Sequence, residues 1–137
     1  MLIEVNNQTK KKINLTLVKK TTELFLRYYR LGNKEVSLAL VENKTIRRLN
    51  RIYRNLNKTT DILSFSDTDK NNFLGEIIIN YDQIKKQAKQ LGHSAQQELI
   101  FILVHGLLHL AGYDDATEKE AKEMGKLTES FIKKVKS

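Results

Sequence analysis

Residues 105–115 read HGLLHLAGYDD, and the rest of the chain is best understood outward from them. His105 and His109 stand four positions apart. On a helix that spacing puts both imidazoles on one face, with Cβ atoms roughly 5–6 Å apart, close enough to share one metal ion. Leu107, Leu108 and Leu110 then belong to the core side of the same helix. Gly112 permits a sharp turn, which can return Asp115 to the ion. Two imidazoles and one carboxylate leave a position open for water, as catalytic sites do, whereas a structural site closes with four protein ligands. The expected ligands are His105, His109 and Asp115, with Asp114 as the competing carboxylate.

Composition narrows the alternatives. The 137 residues contain no cysteine, which excludes disulfides, thiolate zinc sites, iron–sulfur clusters and cysteine nucleophiles. Any metal site must use His, Asp or Glu, and there are only three histidines. The third, His93, precedes Ser94 and reads as a capping or surface residue in preference to a fourth ligand. With 40% apolar and 29% charged residues, the chain reads as one soluble domain over 1–137. No apolar run approaches the ~18 residues of a bilayer span. The start, MLIEVNNQTKKK, has no signal-peptide core, so a cytoplasmic location is expected.

The formal net charge is +8, unevenly spread: residues 1–60 hold 14 Lys/Arg against 4 Asp/Glu, residues 61–137 hold 10 against 12. A basic half beside a slightly acidic one suggests a surface for a polyanion. The absence of proline and the 18 Lys against 6 Arg point to compositional drift, which accounts for part of that charge.

Periodicity supplies the scaffold. Strands are expected at Leu2–Val5, Glu35–Val41, Ile62–Phe65 and Leu74–Asn80. Helices are expected at about 14–30, closed by Gly32; at 43–54, capped by Asn43 with Ile46, Leu49 and Ile52/Tyr53 facing inward; and at 81–91, ending at Gly92. A long apolar helix should run from a Ser94/Gln97 capping box to about Ala111, and a terminal amphipathic helix from Thr117 to about Lys136. Ser66 to Asn72 reads as a polar loop. The expectation is a single α+β domain with a small mixed sheet of about four strands, about five helices and a zincin-like metal helix.

The pattern H-x3-H-x2-G-x2-D is similar to that of metzincin proteases, with one difference. The Glu that follows their first His is Gly106 here, so the general base of peptide hydrolysis is missing. Over nearly its whole length the chain resembles instead the YbeY family of rRNA-maturation endoribonucleases. The family's H-G-x-L-H-L-x-G-Y-D-H matches residues 105–115 except at the last position. LNRIYRNLNKTTDILSFS at 49–66 resembles L-N-x-x-Y-R…T-D-V-L-S-F-P, and LGEIIIN at 74–80 resembles L-G-D-I-x-I.

The resemblance implies a metal-dependent endoribonuclease for single-stranded RNA. It would act on the 3′ end of small-subunit ribosomal RNA and in ribosome quality control. Small-subunit proteins and assembly factors are the implied partners, without DNA specificity. It implies one divalent ion per chain, Zn²⁺ first, held by His105, His109 and Asp115, where the family has a third His. A carboxylate broadens the choice toward harder ions such as Mn²⁺ or Fe²⁺. Arg54 matches the Arg assigned to RNA phosphate and catalysis, a role suited to a guanidinium fork.

Asp61 either orients Arg54 or a ligand His, or is a loop residue that caps a turn. Glu76 either reaches the cleft or lies on a wet strand face. Ser64 and Phe65 should position the loop. Glu98, seven residues before His105, reads as a surface or bridging residue, and Lys10–Lys12 and Lys19–Lys20 as backbone-phosphate contacts or a solvated face. The rival readings are a metallopeptidase and a non-catalytic RNA-binding assembly factor with a decayed metal site.

Overall fold

The computed structural model describes residues 2–66 and 72–136. In chain order the elements are β1 (Ile3–Asn7), α1 (Leu15–Tyr28), β2 (Glu35–Val41), α2 (Asn43–Arg54), β3 (Ile62–Ser66), β4 (Phe73–Asn80), α3 (Tyr81–Leu91), α4 (Ala95–Leu110) and α5 (Glu118–Lys136). The polar loop expected at 66–72 starts one residue later, because Ser66 still pairs with Gly75. Residues 67–71 of that loop lie outside the described residues.

The strands form one mixed sheet in the order β1-β2-β4-β3. β1, β2 and β4 run parallel, as the helices between them require, and β3 is antiparallel to β4, with Ile62 opposite Ile79 and Phe65 opposite Glu76. Alternation along the strands divides the core. Val36, Leu38, Leu40, Ile77 and Ile79 face α1, α4 and α5 in the main cluster. Val41, Leu63 and Ile78 face Ile46 of α2 on the other side.

α4 is apolar around most of its circumference, which is the composition of a central helix. It contacts β3 and β4 and is flanked by α1, α3 and α5. The Ser94/Gln97 capping box starts it as expected. His105 and His109 occupy the part of its surface that the neighbours leave half-open.

Three local expectations need correction. The first concerns Gly32, which does not close α1. The helix ends at Tyr28, and Arg30 takes the left-handed conformation at φ 58°. Leu31 N donates to Leu26 O at 2.6 Å and Arg30 N to Arg27 O at 3.1 Å. This closure packs Leu31 against the main core, and that contact outweighs the steric cost of a non-glycine residue.

Second, Asn43 is the first residue of α2 rather than its cap. Its N–H donates to Asp82 Oδ2 at 2.8 Å, so the first turn of α3 caps α2. The Asn43 amide oxygen accepts from Asn80 and Thr59, tying α2 to the segment before β3.

Third, Ile52 and Tyr53 are 60% and 67% exposed. The inward face of α2 is Ile46, Leu49 and Asn50. Asn50 Nδ2 donates to Lys58 O at 3.0 Å, which sets the rotation of the helix in its last turns.

An aromatic cluster links α1 to the turn after α4. Tyr29 stacks on Phe25 at 4.5 Å between centroids and meets Tyr113 at 6.0 Å. Burial, then the neighbouring Tyr113 and Tyr28 phenols, push the Tyr29 pKa up. A raised folded-state pKa means that the stability from Tyr29 is fully present below about pH 10, the ordinary tyrosine value. It fades as pH climbs through the raised value. Ultraviolet titration should therefore show one tyrosine ionising late, and Tyr29→Phe should remove that late component.

Candidate metal centre and cleft

The geometry of the centre follows from the end of α4. Gly112 takes φ +105°, a region that costs residues with a Cβ. Tyr113 N donates to Leu108 O and Gly112 N to His109 O, both at 3.0 Å. This pair of bonds is the Schellman closure, and it reverses the chain over the last turn of the helix.

Asp115 consequently lies beside both imidazoles. His105 Nε2 is 3.1 Å from Asp115 Oδ2, and His109 Nε2 is 3.5 Å from the same oxygen. The three ligand atoms lie within 4.8 Å of one another, and all three residues are half-buried. Donors at Zn–N and Zn–O distances of about 2.0–2.2 Å in tetrahedral geometry stand roughly 3.3–3.5 Å apart. The observed spacings bracket that value, so two nitrogens and one oxygen fit a single divalent ion. Asp114 is turned elsewhere, its Oδ1 accepting from Asp115 N at 2.8 Å.

This geometry makes a prediction that separates the two aspartates. Asp115→Ala should remove metal from the protein, Asp115→His should retain it, and Asp114→Ala should leave metal content unchanged. Elemental analysis of the purified variants decides the matter. Loss of metal in Asp114→Ala with retention in Asp115→Ala would reverse the assignment.

Gly106 lies where α4 packs closely on the sheet. A Cβ there would lie 2.5 Å from Ile62 Cδ1 and 3.4 Å from Ile77 Cδ1. α4 therefore comes to rest on β3 and β4 at the position where a metalloprotease carries its catalytic Glu. A glutamate there would run into the Ile62 and Ile77 side chains, and the metal-ligating trio holds no substitute for it.

A cleft of about 530 Å³ opens beside His109. Its other walls include Arg54, Lys58, Thr60, Ser64 and Asn50. Arg54 ends α2, and its Nη2 donates to Ser64 O at 3.1 Å while its guanidinium lies 5.4 Å from the centre of the Phe65 ring. It is thus held at the cleft by β3. Ser64 and Phe65, expected to position the loop, lie in β3 and contact this arginine instead.

Asp61 is not brought to Arg54 or to the imidazoles, and no ion pair of its carboxylate occurs among the described residues. Its carboxylate receives the Thr60 hydroxyl at 3.5 Å, and its backbone oxygen accepts from Asn80 N at 2.9 Å. Glu76 faces away from the metal-binding helix, in a shallow polar groove with Glu4, Asn6, Gln8 and Ser37. Lys10–Lys12, Lys19 and Lys20 are exposed and line no part of the cleft.

His93 precedes the N-cap of α4, at the end of the helix opposite to His105. It pairs with Glu98 at 2.8 Å, and Gln87 donates to the same carboxylate. Glu98 is therefore a bridging residue, and at 3% exposed it does not belong to the surface. Sequence reasoning missed Lys58 and Asn50 as cleft residues. Both stand within the 49–66 block, whose matched motif skipped the Lys position.

The two helix histidines, Asp115 from the turn that follows and the mixed sheet beneath them define a single-domain α+β protein with a candidate divalent-metal centre. The particular family follows from comparison with known proteins. The family described as Endoribonuclease YbeY matches residues 3–136. An Endoribonuclease YbeY of Acholeplasma laidlawii is 46% identical over 102 residues, covering 74% of each chain. That of Nitratiruptor is 39% identical over 133 residues, covering 96% of this chain and 87% of the relative. A solution structure from Thermotoga maritima superposes with a TM-score of 0.74 at 27% identity, covering 98% of this chain and 89% of that one. The chain belongs to the YbeY endoribonuclease family.

Proposed function

We propose that this chain is a metal-dependent endoribonuclease specific for single-stranded RNA, acting as one unit over residues 1–137 in the maturation of ribosomal RNA. The small-subunit 3′ end is the proposed target, within ribosome quality control in the cytoplasm. Small-subunit proteins and assembly factors are the proposed partners. No helix among the described residues is long and apolar enough to cross a membrane.

The observation that carries this reading is that one cleft is lined by His109 of the donor trio and by Arg54 and Lys58. A phosphodiester placed there would meet one of the candidate metal ligands, His109, and two cations, Arg54 and Lys58. His105, His109 and Asp115 would hold one divalent ion, Zn²⁺ first among the choices because two of the three donors are imidazole nitrogens. When bound, such an ion supplies Lewis-acid polarisation and acidifies water.

The other side chains do complementary work. The Arg54 fork, fixed by the Ser64 carbonyl, is placed to hold the non-bridging oxygens as negative charge accumulates. Lys58 adds a point charge to the same wall. Asp61 keeps the segment before β3 in place through the Asn80 and Thr60 contacts.

The test is cleavage of a single-stranded small-subunit precursor RNA by metal-loaded protein. Internal cleavage is expected, absent in chelator and absent on DNA of the same sequence. Arg54→Ala should lower turnover by about 10²- to 10³-fold, the cost of removing one charge-stabilising donor, with metal content intact. Undiminished cleavage in chelator, or wild-type turnover by Arg54→Ala, would overturn the assignment of those groups.

A further inference from the structure

Resting on the single-stranded RNA reading above, we propose that Tyr53 is a base-stacking residue that seats a nucleotide flanking the scissile phosphate. Four observations support it. Tyr53 is 67% exposed although it is a large aromatic on an ordered helix. Its ring meets Phe65 edge to face, with centroids 5.8 Å apart and planes at 65°. That arrangement fixes the ring, yet leaves each of the two rings with a face the other does not cover. Phe65 in turn lies under the guanidinium of Arg54, which lines the cleft with His109. The platform and the phosphate-holding arginine are therefore adjacent parts of one assembly.

The fourth observation is charge. From Asn43 to Thr60 there are six cations, Lys44, Arg47, Arg48, Arg51, Arg54 and Lys58, and no acidic residue. Four of the six arginines of the chain are on this one helix. A helix whose outer face joins cations to an exposed aromatic ring suits a polyanion that also carries flat apolar groups. Single-stranded nucleic acid has that chemistry, since a base unpaired from its strand offers a free π-face. A duplex keeps its bases stacked on one another and cannot lay one on Tyr53 without unstacking it. Tyr53 would thus contribute to the preference for single strands, acting in binding rather than in the chemical step.

The experiment measures the affinity of a fluorescent oligouridylate and of an abasic oligonucleotide of equal length, by anisotropy. Wild-type protein is compared with Tyr53→Ala, Tyr53→Leu and Tyr53→Phe. Tyr53→Ala should weaken oligouridylate binding roughly 5- to 100-fold, the range of one base–aromatic stack. Tyr53→Phe should bind as wild type, and Tyr53→Leu should resemble Tyr53→Ala. On the abasic strand all four should bind alike. In cleavage assays Tyr53→Ala should raise KM and spare kcat, with unchanged metal content and thermal midpoint.

Wild-type affinity in Tyr53→Ala would overturn the inference and leave the exposed Ile52, Tyr53 and Leu56 to a protein partner instead. Full restoration by Leu, or an equal loss on the abasic strand, would overturn base stacking as the cause. If wild-type protein binds and cleaves RNA while Tyr53→Ala is unaltered, only this inference fails. If wild-type protein neither binds nor cleaves RNA, the nuclease reading fails with it.

Discussion

His109→Ala is expected to abolish both metal retention and RNA cleavage while leaving the fold intact. The imidazole is one of three donors that fit a single divalent ion, and its Nε2 lies 3.5 Å from the Asp115 oxygen that completes the set. Losing groups that merely support metal ligands costs about 10- to 100-fold in affinity; losing a ligand itself should exceed that range. The His109 side chain is 27% exposed and takes no part in the main apolar cluster, so its removal should cost no more than about 1 kcal/mol of stability. Elemental analysis, circular dichroism and cleavage of single-stranded RNA, on proteins prepared identically, check the three parts. Wild-type metal content in the variant would place the ion elsewhere. Equal cleavage by both proteins would identify a contaminating nuclease.

The second large effect concerns stability. Gly106→Glu, which would restore the metalloprotease pattern, is expected to destabilise the protein by about 3 kcal/mol or more and to confer no peptide hydrolysis. The new Cβ alone would meet Ile62 Cδ1 at 2.5 Å. The remaining side chain would carry a carboxylate into the apolar contact between α4 and the Ile62 and Ile77 pair of the sheet, where a charge has no partner. For a domain of this size, that loss corresponds to a fall in melting temperature of roughly 10 °C or more. Gly106→Ala is the control. Only the tip of a flexible side chain must yield to it, and alanine favours helix by about 1 kcal/mol over glycine, so its midpoint should stay within a few degrees of wild type. A Gly106→Glu protein that melts like wild type and hydrolyses peptides would overturn the packing argument and the exclusion of a peptidase together.

Much of the fold was legible because its signals are local. The i, i+4 spacing of His105 and His109, the Ser94/Gln97 box, the turn at Gly112 and the alternation of EVSLALV each depend on a few neighbouring residues, and each appears in the structure. The errors arose where a distant contact overrode a local preference. Leu31 drew the end of α1 into the core past a nearby glycine. Asp82 of α3 took over the capping of α2. Asn50, through Lys58, turned Ile52 and Tyr53 outward although helical periodicity placed them on the inner face.

From its sequence alone this protein was determined to be a four-stranded α+β domain with a two-histidine helix and a carboxylate after a glycine turn. Helix and strand periods are properties of the backbone and need no knowledge of distant residues. Asp115 was preferred to Asp114 from the sequence, because it stands where the resembled family has its third His; that its Oδ2 comes to lie beside both imidazoles required the tertiary structure. So did the meeting of Arg54 with His109. They belong to different elements, and their approach depends on the sheet order β1-β2-β4-β3, which puts β3 at the edge where it touches both α2 and α4. The conflict of a long side chain at Gly106 with the sheet was likewise decided by how closely α4 rests on Ile62. Strand order and interhelical distance come from packing many side chains at once, and no short stretch of sequence carries them.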